Sequence, residues 1–309
     1  MTIEKINEIL SSNLSEEEKL EKIKKISTES ASDSVESAVE SEADPVEDSE
    51  SDFEKLKKIL DSDQWPEAVL EFQIADDTSE EDKTDRAEGI VDILIEESLE
   101  NKKFLDFGCG EGHAAKYASE DSAISVGYDI EKQGSLEWEN DEKFLLTTDF
   151  EKVKAKGPFD VILIYDVVDH SENPAEVLNK AKSVLANNGT IYLRCHPWSS
   201  RHGGHAYRKI NKAFIHLVFS EEELKNLGID NGHNNKVLFP IATYARYLKE
   251  VGLPVKHPDI EEQEVEPFFK NNELVRKRIL QAFNRDNWEA DCPSFQMGQC
   301  FLDYVIKLQ

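Results

Sequence analysis

The sequence contains few residues of the kinds that mark a disulfide-rich, secreted or membrane protein. Its four cysteines, Cys109, Cys195, Cys292 and Cys300, form no CxxC pair. This argues against a disulfide scaffold or a structural zinc module and favours a reducing compartment. No run approaches the length of about 18 apolar residues that a membrane span needs, and the first residues lack an apolar signal core. We therefore expect a cytoplasmic protein without membrane contact, in the host cytoplasm if it is viral.

Basic residues are also scarce, with 36 Lys and Arg against 64 Asp and Glu and a net charge of −28. The first 100 residues hold 32 acidic and 10 basic residues, a net charge of −22, which leaves −6 for the rest of the chain. Such a charge repels phosphate backbones and disfavours a nucleic-acid partner. The compact source of positive charge is a short group of residues, Arg194, Arg201, Arg208 and Lys209.

The acidity lies mainly in an N-terminal extension. Residues 1–27 place Ile and Leu at three- and four-residue spacings, with Ser15 and Glu18 as a capping box, and predict a helical segment suited to docking or self-association. Residues 28–52 consist almost wholly of Ser, Glu, Asp and Ala, which predicts a disordered linker. We expect the folded domain to occupy residues 53–309.

Within that domain, segments typical of strands alternate with amphipathic segments typical of helices. One helix is predicted from an N-cap at Thr78, with Ile90, Ile93 and Leu94 on its apolar face, and another ends at Gly189. The strand-like segments are "KFLDF", "SVGYDI", "FLLTTDF", "FDVILIYDVV", "TIYLRCHPW" and "CFLDYVIKL". This alternation predicts an α/β fold with a mostly parallel sheet and helices on both of its faces.

The stretch "FLDFGCGEGH" places a strand, a glycine-rich turn and the start of a helix in succession. Three interpretations compete: a dinucleotide site, an S-adenosylmethionine site and a structural turn. The dinucleotide fingerprint has the spacing GxGxxG, whereas these glycines alternate at Gly108, Gly110 and Gly112. Asp106 would repel a pyrophosphate but suits a ligand that carries an amino group and a sulfonium, which favours S-adenosylmethionine.

Two later strands also end in an aspartate, at Asp129 and Asp149. In a parallel sheet these ends meet at one edge, so the second strand should deliver Asp129 to a ribose diol and the third should bring Asp149 and Phe150 to an adenine. Each aspartate alone is a common turn residue or helix cap. Three at successive strand ends after the glycines favour one cofactor cleft.

These motifs, with "FDVILIYDVVDHSENPAEVLNKAKSVLANNGTIYLR", resemble the class I S-adenosylmethionine-dependent methyltransferase family in its small-molecule-like branch, over roughly residues 86–196. The resemblance implies a Rossmann-like doubly wound sheet of about seven strands, mostly parallel with an antiparallel last strand. It also implies the residues that bind the cofactor, which are Asp106, Gly108, Cys109, Gly110, Gly112, Asp129, Ile130, Asp149, Phe150 and Tyr165.

The methyl acceptor is predicted to contact a long insertion at about residues 196–240. It is rich in histidine and contains the pair Gly203-Gly204. Because the fourth strand ends in "YDVVDH" rather than in the motif of base N-methyltransferases, amino methylation of nucleic-acid bases is disfavoured. Where the acceptor is a hydroxyl, a base must remove its proton. The candidate catalytic residues are His196, then His205, with Asp166 and His170.

One alternative for this region involves a metal. Asp166, Asp169 and His170 repeat the spacing of the Glu-x-x-Glu-His motif of metal-assisted relatives, and with His196 or His205 they suit Mg²⁺. Since Asp is shorter than Glu, we assign no metal from the sequence. The predicted function is methyl transfer from S-adenosylmethionine to an oxygen or nitrogen of a small-molecule or sugar-like acceptor. The alternatives are a methyltransferase-like binding or assembly protein and an O-methyltransferase of RNA ends.

Overall fold

A computed structural model describes seven ranges of the chain: 50–69, 79–134, 139–207, 209–229, 241–253, 258–285 and 297–307. Several predictions lie outside these ranges, namely the helical segment 1–27, most of the linker 28–52 and the positions of Arg208 and Cys292. Those predictions remain untested, as do the predicted domain boundaries.

Seven strands form one sheet in the order β3-β2-β1-β4-β5-β7-β6. Strands β1 to β5 pair in parallel, and β7 is antiparallel to both of its neighbours. The strands are β1 (Lys103–Phe107), β2 (Ile124–Tyr128), β3 (Phe144–Thr147), β4 (Phe159–Tyr165), β5 (Leu185–Cys195), β6 (Pro258–Glu262) and β7 (Gln299–Lys307). The predicted α/β class, the strand number and the antiparallel last strand are confirmed, although the sequence analysis did not identify β6.

Helices connect the strands and continue beyond the sheet. They are α1 (Asp52–Leu60), α2 (Glu80–Leu94), α3 (His113–Ala118), α4 (Phe150–Lys156), α5 (Pro174–Ser183), α6 (Ile215–Val218), α7 (Glu221–Asn226), α8 (Ile241–Val251), α9 (Pro267–Asn271) and α10 (Glu273–Arg285). Because β1 and β4 lie centrally, both of their faces are covered. Ile162 and Leu163 of β4 are fully buried on opposite faces, which explains the continuous apolar run there.

Two helix predictions need correction. The helix α2 begins one residue later than predicted, since Ser79 is its N-cap and forms a capping box with Asp82. Its buried face contains Ala87 and Val91, whereas Ile93 is 75% exposed and does not belong to the apolar face as predicted. The spacing of four between Ala87 and Val91 sets that face, and Ile93 lies off it.

The helix predicted to end at Gly189 ends instead at Ser183, and β5 begins at Leu185. The first pair of β5 with β4 is Phe159 with Leu185, and the register shifts before the regular pairing resumes at Thr190. Gly189 therefore lies in an irregular part of β5, where a Cβ would come within 2.9 Å of the Phe159 carbonyl oxygen. The glycine is needed for this close backbone approach and does not terminate the helix.

A second apolar core lies apart from the sheet, and we call it the cap core. It contains Leu56 and Leu60 of α1, Trp65, much of the described insertion after β5, and residues of α9 and α10. The Trp65 indole Nε1 donates a hydrogen bond to the Ala213 carbonyl over 2.9 Å, which joins the N-terminal side of the domain to the insertion. Residues 61–69 form turns and bends rather than a helix. The described parts of the insertion thus form a packed wall.

Candidate active site

The turn after β1 is held in its shape by the neighbouring strand. The backbone N–H groups of Gly108 and Cys109 both donate to the carbonyl of Tyr128, the last residue of β2, over 2.7 and 3.0 Å. Gly108, Gly110 and Gly112 have φ angles of +84°, +54° and +90°, which side chains with a Cβ rarely adopt. Gly112 is the N-cap of α3, which begins at His113.

The first two glycines serve different purposes. A Cβ on Gly108 would lie 2.3 Å from Cγ2 of Val167, so Gly108 permits the loop after β4 to pack against the turn. A Cβ on Gly110 would meet no atom within 4 Å, since that position faces open space. Gly110 therefore leaves the backbone accessible to a ligand.

Two of the predicted aspartates lie beside this turn. The Asp129 carboxylate follows β2 and accepts a hydrogen bond from the Gly110 backbone N–H over 2.9 Å. Asp106, in β1, is 4% exposed. Burial and then the charge of Asp129 raise the pKa of Asp106 to about 7, against a hydrogen bond from the Ala115 backbone that lowers it. A ligand cation near Asp106 would favour its ionised form.

A cleft of about 480 Å³ opens above the turn, within the usual size range of ligand pockets. Asp106, Gly108, Cys109, Gly110, Tyr165 and Asp166 line it, as do residues that the sequence analysis did not identify. Those further residues are Lys83, Arg86, Ala87, Ile90, Glu111, His113, Ala114 and Leu163. Lys83 and Arg86 come from α2, which the sequence showed only as a helix before β1 and not as a wall of the cleft.

The predicted adenine contacts lie outside the lining of this cleft. The Asp149 carboxylate is exposed and accepts a hydrogen bond from the Glu151 backbone N–H, so it caps α4. The Phe150 ring packs against Phe107 and Tyr128 with centroid distances of 6.2 and 5.3 Å. Ile130 is 79% exposed directly after Asp129, an unusual position for a large apolar side chain.

At the end of β4, Tyr165 and Asp166 border the cleft. Burial and then the charge of Asp166 raise the pKa of Tyr165 to about 12, so this phenol is neutral near pH 7. Asp166 has a φ of +50°, a strained angle that Asp tolerates better than most residues. This backbone turn directs its carboxylate toward His196, whose Nδ1 lies 3.6 Å from Asp166 Oδ1.

Beyond Asp166 lies a cluster of three residues, Asp169, His196 and His205, whose ligand atoms all lie within 4.8 Å of one another. His196 directly follows β5, and its Nδ1 is 2.7 Å from Asp169 Oδ2. Its Nε2 contacts Nε2 of His205. Burial alone would lower the pKa of His196, but the charges of Asp169 and Asp166 outweigh burial and raise that pKa to about 10.

The other candidate histidines lie around this cluster. His170 is exposed, and its ring centroid is 4.7 Å from that of His205. His202 packs between His196 and Phe301, and burial followed by the charge of His196 lowers its pKa to about 3. His216 is buried and bonds to the Trp198 carbonyl. The structure therefore brings together the predicted residues Asp166, His196 and His205, with His170 at the rim.

Two basic residues of this region, Arg194 and Arg201, form ion pairs within the chain. Arg194 contacts the Asp303 carboxylate through both Nε and a terminal nitrogen, which joins β5 to β7. Arg201 pairs with Glu266 over 2.6 Å and also donates to the Glu67 carbonyl. Because acids of the same chain neutralise these two charges, Arg194 and Arg201 are poorly suited to bind a phosphate backbone.

A comparison with protein families matches residues 79–255, more than half of the chain, to the model described as "Methyltransferase domain". The chain belongs to the methyltransferase-domain family. The cofactor is S-adenosyl-L-methionine, as the sequence predicts. The cleft fits this cofactor, since Asp106 is a buried carboxylate beside a glycine turn with open space at Gly110. Among the described residues, no helix has both the length and the apolar content of a membrane span.

Two curated relatives show the range of similarity to this methyltransferase. A tRNA U34 carboxymethyltransferase of Pseudoalteromonas atlantica is 29% identical over 105 residues, covering 31% of this chain and 32% of the relative. A ubiquinone biosynthesis O-methyltransferase of Pseudomonas aeruginosa is 22% identical over 166 residues, covering 51% of this chain and 67% of the relative. The chain thus spans about a third of the first and about two thirds of the second.

Solved structures of methyltransferases also align. The plantazolicin methyltransferase BamL, in complex with a triazolic desmethylPZN analog and SAH, is 15% identical with a TM-score of 0.41, covering 77% of this chain and 89% of that chain. A SAM-dependent methyltransferase from Archaeoglobus fulgidus is 18% identical with a TM-score of 0.42, covering 76% and 97%.

Proposed function

We propose that the protein transfers a methyl group from S-adenosylmethionine to a hydroxyl oxygen of a small-molecule acceptor. The observation that carries this proposal is the position of Asp166. Asp166 lines the cofactor cleft, and its carboxylate lies 3.6 Å from Nδ1 of His196, a member of the cluster with Asp169 and His205. Titratable side chains therefore lie next to the end of the cleft at which we expect the methyl group of the donor. The acceptor must bind at that end.

On the cofactor side, we assign the methionine part to the turn that contains Gly108, Cys109, Gly110 and Gly112, with Asp106 near the amino group. Arg86, from α2, also lines the cleft, and its positive charge is suited to the methionine carboxylate. Asp129 is assigned to the ribose, and the exposed Ile130 to one face of the adenine. Asp149 and Phe150 remain candidates for the adenine edge.

When bound, the cofactor supplies an electrophilic methyl group on a cationic sulfur. In the reaction, the O–CH₃ bond forms as the S–CH₃ bond breaks, the sulfur becomes a neutral thioether and the acceptor loses its hydroxyl proton. An amine acceptor brings its own lone pair, whereas a hydroxyl needs a group that takes the proton. The cluster of carboxylates and imidazoles beside the cleft therefore supports a hydroxyl acceptor over an amine acceptor.

Asp166 is the member of this set that borders the cleft, and we assign it the acceptor proton. Burial raises the pKa of Asp166, but its interactions with His196 outweigh burial and lower that pKa. The carboxylate is thus ionised at neutral pH and able to accept a proton. His196, whose Nδ1 lies 3.6 Å from Asp166 Oδ1, holds this carboxylate in place as a positioning residue.

The negative charge of the protein supports a small acceptor over RNA. The net charge of −28 and the pairing of Arg194 and Arg201 with acids both disfavour RNA. In the described part of the insertion, Tyr207 belongs to the edge of the apolar cap core, and its ring packs near those of His202 and His205. Such an edge suits a compact acceptor with an aromatic or aliphatic body.

The test is methyl transfer from labelled S-adenosylmethionine into two acceptor pools, nuclease-treated cellular metabolites of low mass and purified total RNA. We expect label in the first pool, little dependence on salt between 50 and 200 mM, and a methyl ether in the labelled product by NMR. Label in RNA that falls steeply with salt, or an N-methyl product, would contradict the proposal.

A matched pair of variants tests the assigned base. Asp166→Asn keeps the volume and tolerates the left-handed backbone, and it should lower kcat about 10²- to 10⁴-fold while leaving the affinity for S-adenosylhomocysteine within a few-fold. Glu172→Gln changes an exposed carboxylate shortly beyond the cluster and should leave kcat unchanged. Equal activity of both variants would show that Asp166 is not the base.

A further inference from the structure

We propose that Asp169, His196 and His205 bind a divalent transition-metal ion at the acceptor end of the cleft. The role of that ion in catalysis rests on the proposed function, since it would lower the pKa of an acceptor hydroxyl bound to it. The binding itself rests only on the arrangement of these side chains. These three ligands differ from the set Asp166, Asp169 and His170 that the spacing in the sequence suggests.

The first argument is convergence. The three residues come from separate segments: a turn after β4, the residue after β5 and the insertion. Nevertheless, their ligand atoms all lie within 4.8 Å of one another. The Nε2 atoms of His196 and His205 are in direct contact. Two imidazole lone pairs repel unless a proton or a cation lies between them, so a metal ion can take the place of that proton.

The second argument comes from buried polar atoms. Among the residues that the structure describes, His196 Nδ1, Asp169 Oδ1 and Asp166 Oδ1 are buried without an aligned hydrogen bond. Asp169 is fully buried and His196 is 1% exposed. Asp169 Oδ2 is already 2.7 Å from His196 Nδ1, so the carboxylate oxygens left without a hydrogen bond are Asp169 Oδ1 and Asp166 Oδ1. A buried carboxylate oxygen without a hydrogen bond is costly, and two of them beside the contact between His196 and His205 favour a bound cation.

The backbone conformation of His205 also supports a metal site. His205 has a φ of +51°, outside the usual range for a residue with a Cβ. This conformation brings its ring to within 4.5 Å of the His196 ring, measured between centroids. Strain of this kind persists where the surrounding structure requires it, and it is concentrated at functional sites.

The ligand types decide the class of metal. Two imidazoles and one carboxylate, with further positions open to the acceptor, are typical of catalytic zinc and of other first-row transition metals. Mg²⁺ prefers oxygen ligands and retains its water molecules. We therefore expect Zn²⁺, Mn²⁺ or Fe²⁺ to bind, and Mg²⁺ to compete poorly. Asp166, which borders the cleft, is available to hold the acceptor.

A second cluster of the same residue types provides a contrast. Glu80, Glu111 and His113 also lie within 4.8 Å of one another. However, the Lys83 ammonium already contacts Glu111 over 2.6 Å and Glu80 over 3.1 Å. That group is more exposed and has its cation within the chain, so we assign no metal to it.

The test measures metal content and ligation in the full-length protein. After chelator treatment and incubation with Zn²⁺, we expect one bound equivalent by elemental analysis and no loss of zinc in excess Mg²⁺. X-ray absorption at the zinc edge should show two imidazole nitrogens at about 2.0–2.1 Å. Because it needs no variant, this spectrum identifies the ligands even where a substitution impairs folding.

Variants then separate the two ligand sets. His205→Ala and Asp169→Asn should raise the Kd for Zn²⁺ about 100-fold or more, since even outer partners of metal sites cost 10- to 100-fold. His170→Ala removes the exposed histidine of the Asp-x-x-Asp-His spacing and should leave that Kd within a few-fold, as should His113→Ala in the second cluster. Thermal unfolding verifies that each variant is folded.

Three outcomes would overturn the proposal. They are less than a tenth of an equivalent of bound Zn²⁺ in the wild-type protein, an absorption spectrum without imidazole ligands, and a loss of metal in His170→Ala but not in His205→Ala. Each is distinct from a failure of the proposed function, because none of them measures methyl transfer, and methyl transfer by the metal-free protein would refute only the catalytic role of the ion. Conversely, bound zinc without methylation of any low-mass acceptor would refute the function alone.

Discussion

Substitution of Asp129 provides the sharpest test of the cofactor site. This carboxylate accepts the Gly110 backbone N–H over 2.9 Å and is assigned to the ribose. Asp129→Ala removes the hydrogen bond that we assign between this carboxylate and the ribose. A hydrogen bond to a charged group contributes about 1.5–3 kcal/mol. The same change releases the turn at the residue whose backbone faces the cleft. We therefore expect the Kd for S-adenosylhomocysteine to rise about 10- to 150-fold.

Calorimetric titration with S-adenosylhomocysteine measures this effect without any knowledge of the acceptor. Asp129→Asn keeps an oxygen that can accept from Gly110 but loses the charge, so its Kd should lie between those of the wild type and the alanine variant. Glu131→Ala is the matched control, since Glu131 is exposed and its partner is the Gln133 amide at 3.3 Å.

The result that would refute this reasoning is an alanine variant whose affinity is within twofold of the wild type. In that case Asp129 does not contact the cofactor, and the assignment of the strand ends to the cofactor is wrong. A loss of affinity in Glu131→Ala as large as in Asp129→Ala would show that the effect is general electrostatics.

Three further predictions concern stability, each measured by urea unfolding. Gly108→Ala should cost about 1–3 kcal/mol, because its φ is positive and the Cβ meets Val167, and Gly110→Ala should cost less since its Cβ meets nothing. Because the pKa of Asp106 is raised to about 7, the folded state binds a proton that the unfolded chain releases above about pH 4, and stability falls as pH rises through this window. Asp106→Asn should abolish this fall, which is at most about 1.4 kcal/mol per pH unit. Leu56→Ala, at a fully buried position of the cap core, should cost about 2–5 kcal/mol, and a cost below 1 kcal/mol would contradict that packing.

The turn beside the cleft was predictable because its geometry is local. Positive φ angles require glycine, and the ends of parallel strands meet at one edge of the sheet, so Gly108, Gly110, Asp106 and Asp129 follow from their positions in the sequence. Asp149 shows the limit of this argument. An aspartate after a strand is equally a helix cap, and its hydrogen bond to the Glu151 backbone is of that kind.

The acceptor half was less predictable because loops determine it. The sequence ranks His196 and His205 as candidates but does not show that their Nε2 atoms meet, since this depends on the backbone angle of His205. The spacing of Asp166, Asp169 and His170 suggests that His170 belongs to a metal site, yet its side chain is exposed. Likewise, Lys83 and Arg86 line the cleft because α2 packs against α3, the helix that follows the glycine turn.

The cap core has a consequence for how the protein can be divided. The match to the family ends at residue 255, while α1 precedes it and α9, α10 and β7 follow it. A fragment trimmed to the family boundaries would expose Trp198 and Phe214 and leave β5 as a bare sheet edge. The glycine turn thus lies within the family match, whereas the cap core also draws on segments before and after it, so the packing of the cap core can change without any change to the residues of the turn.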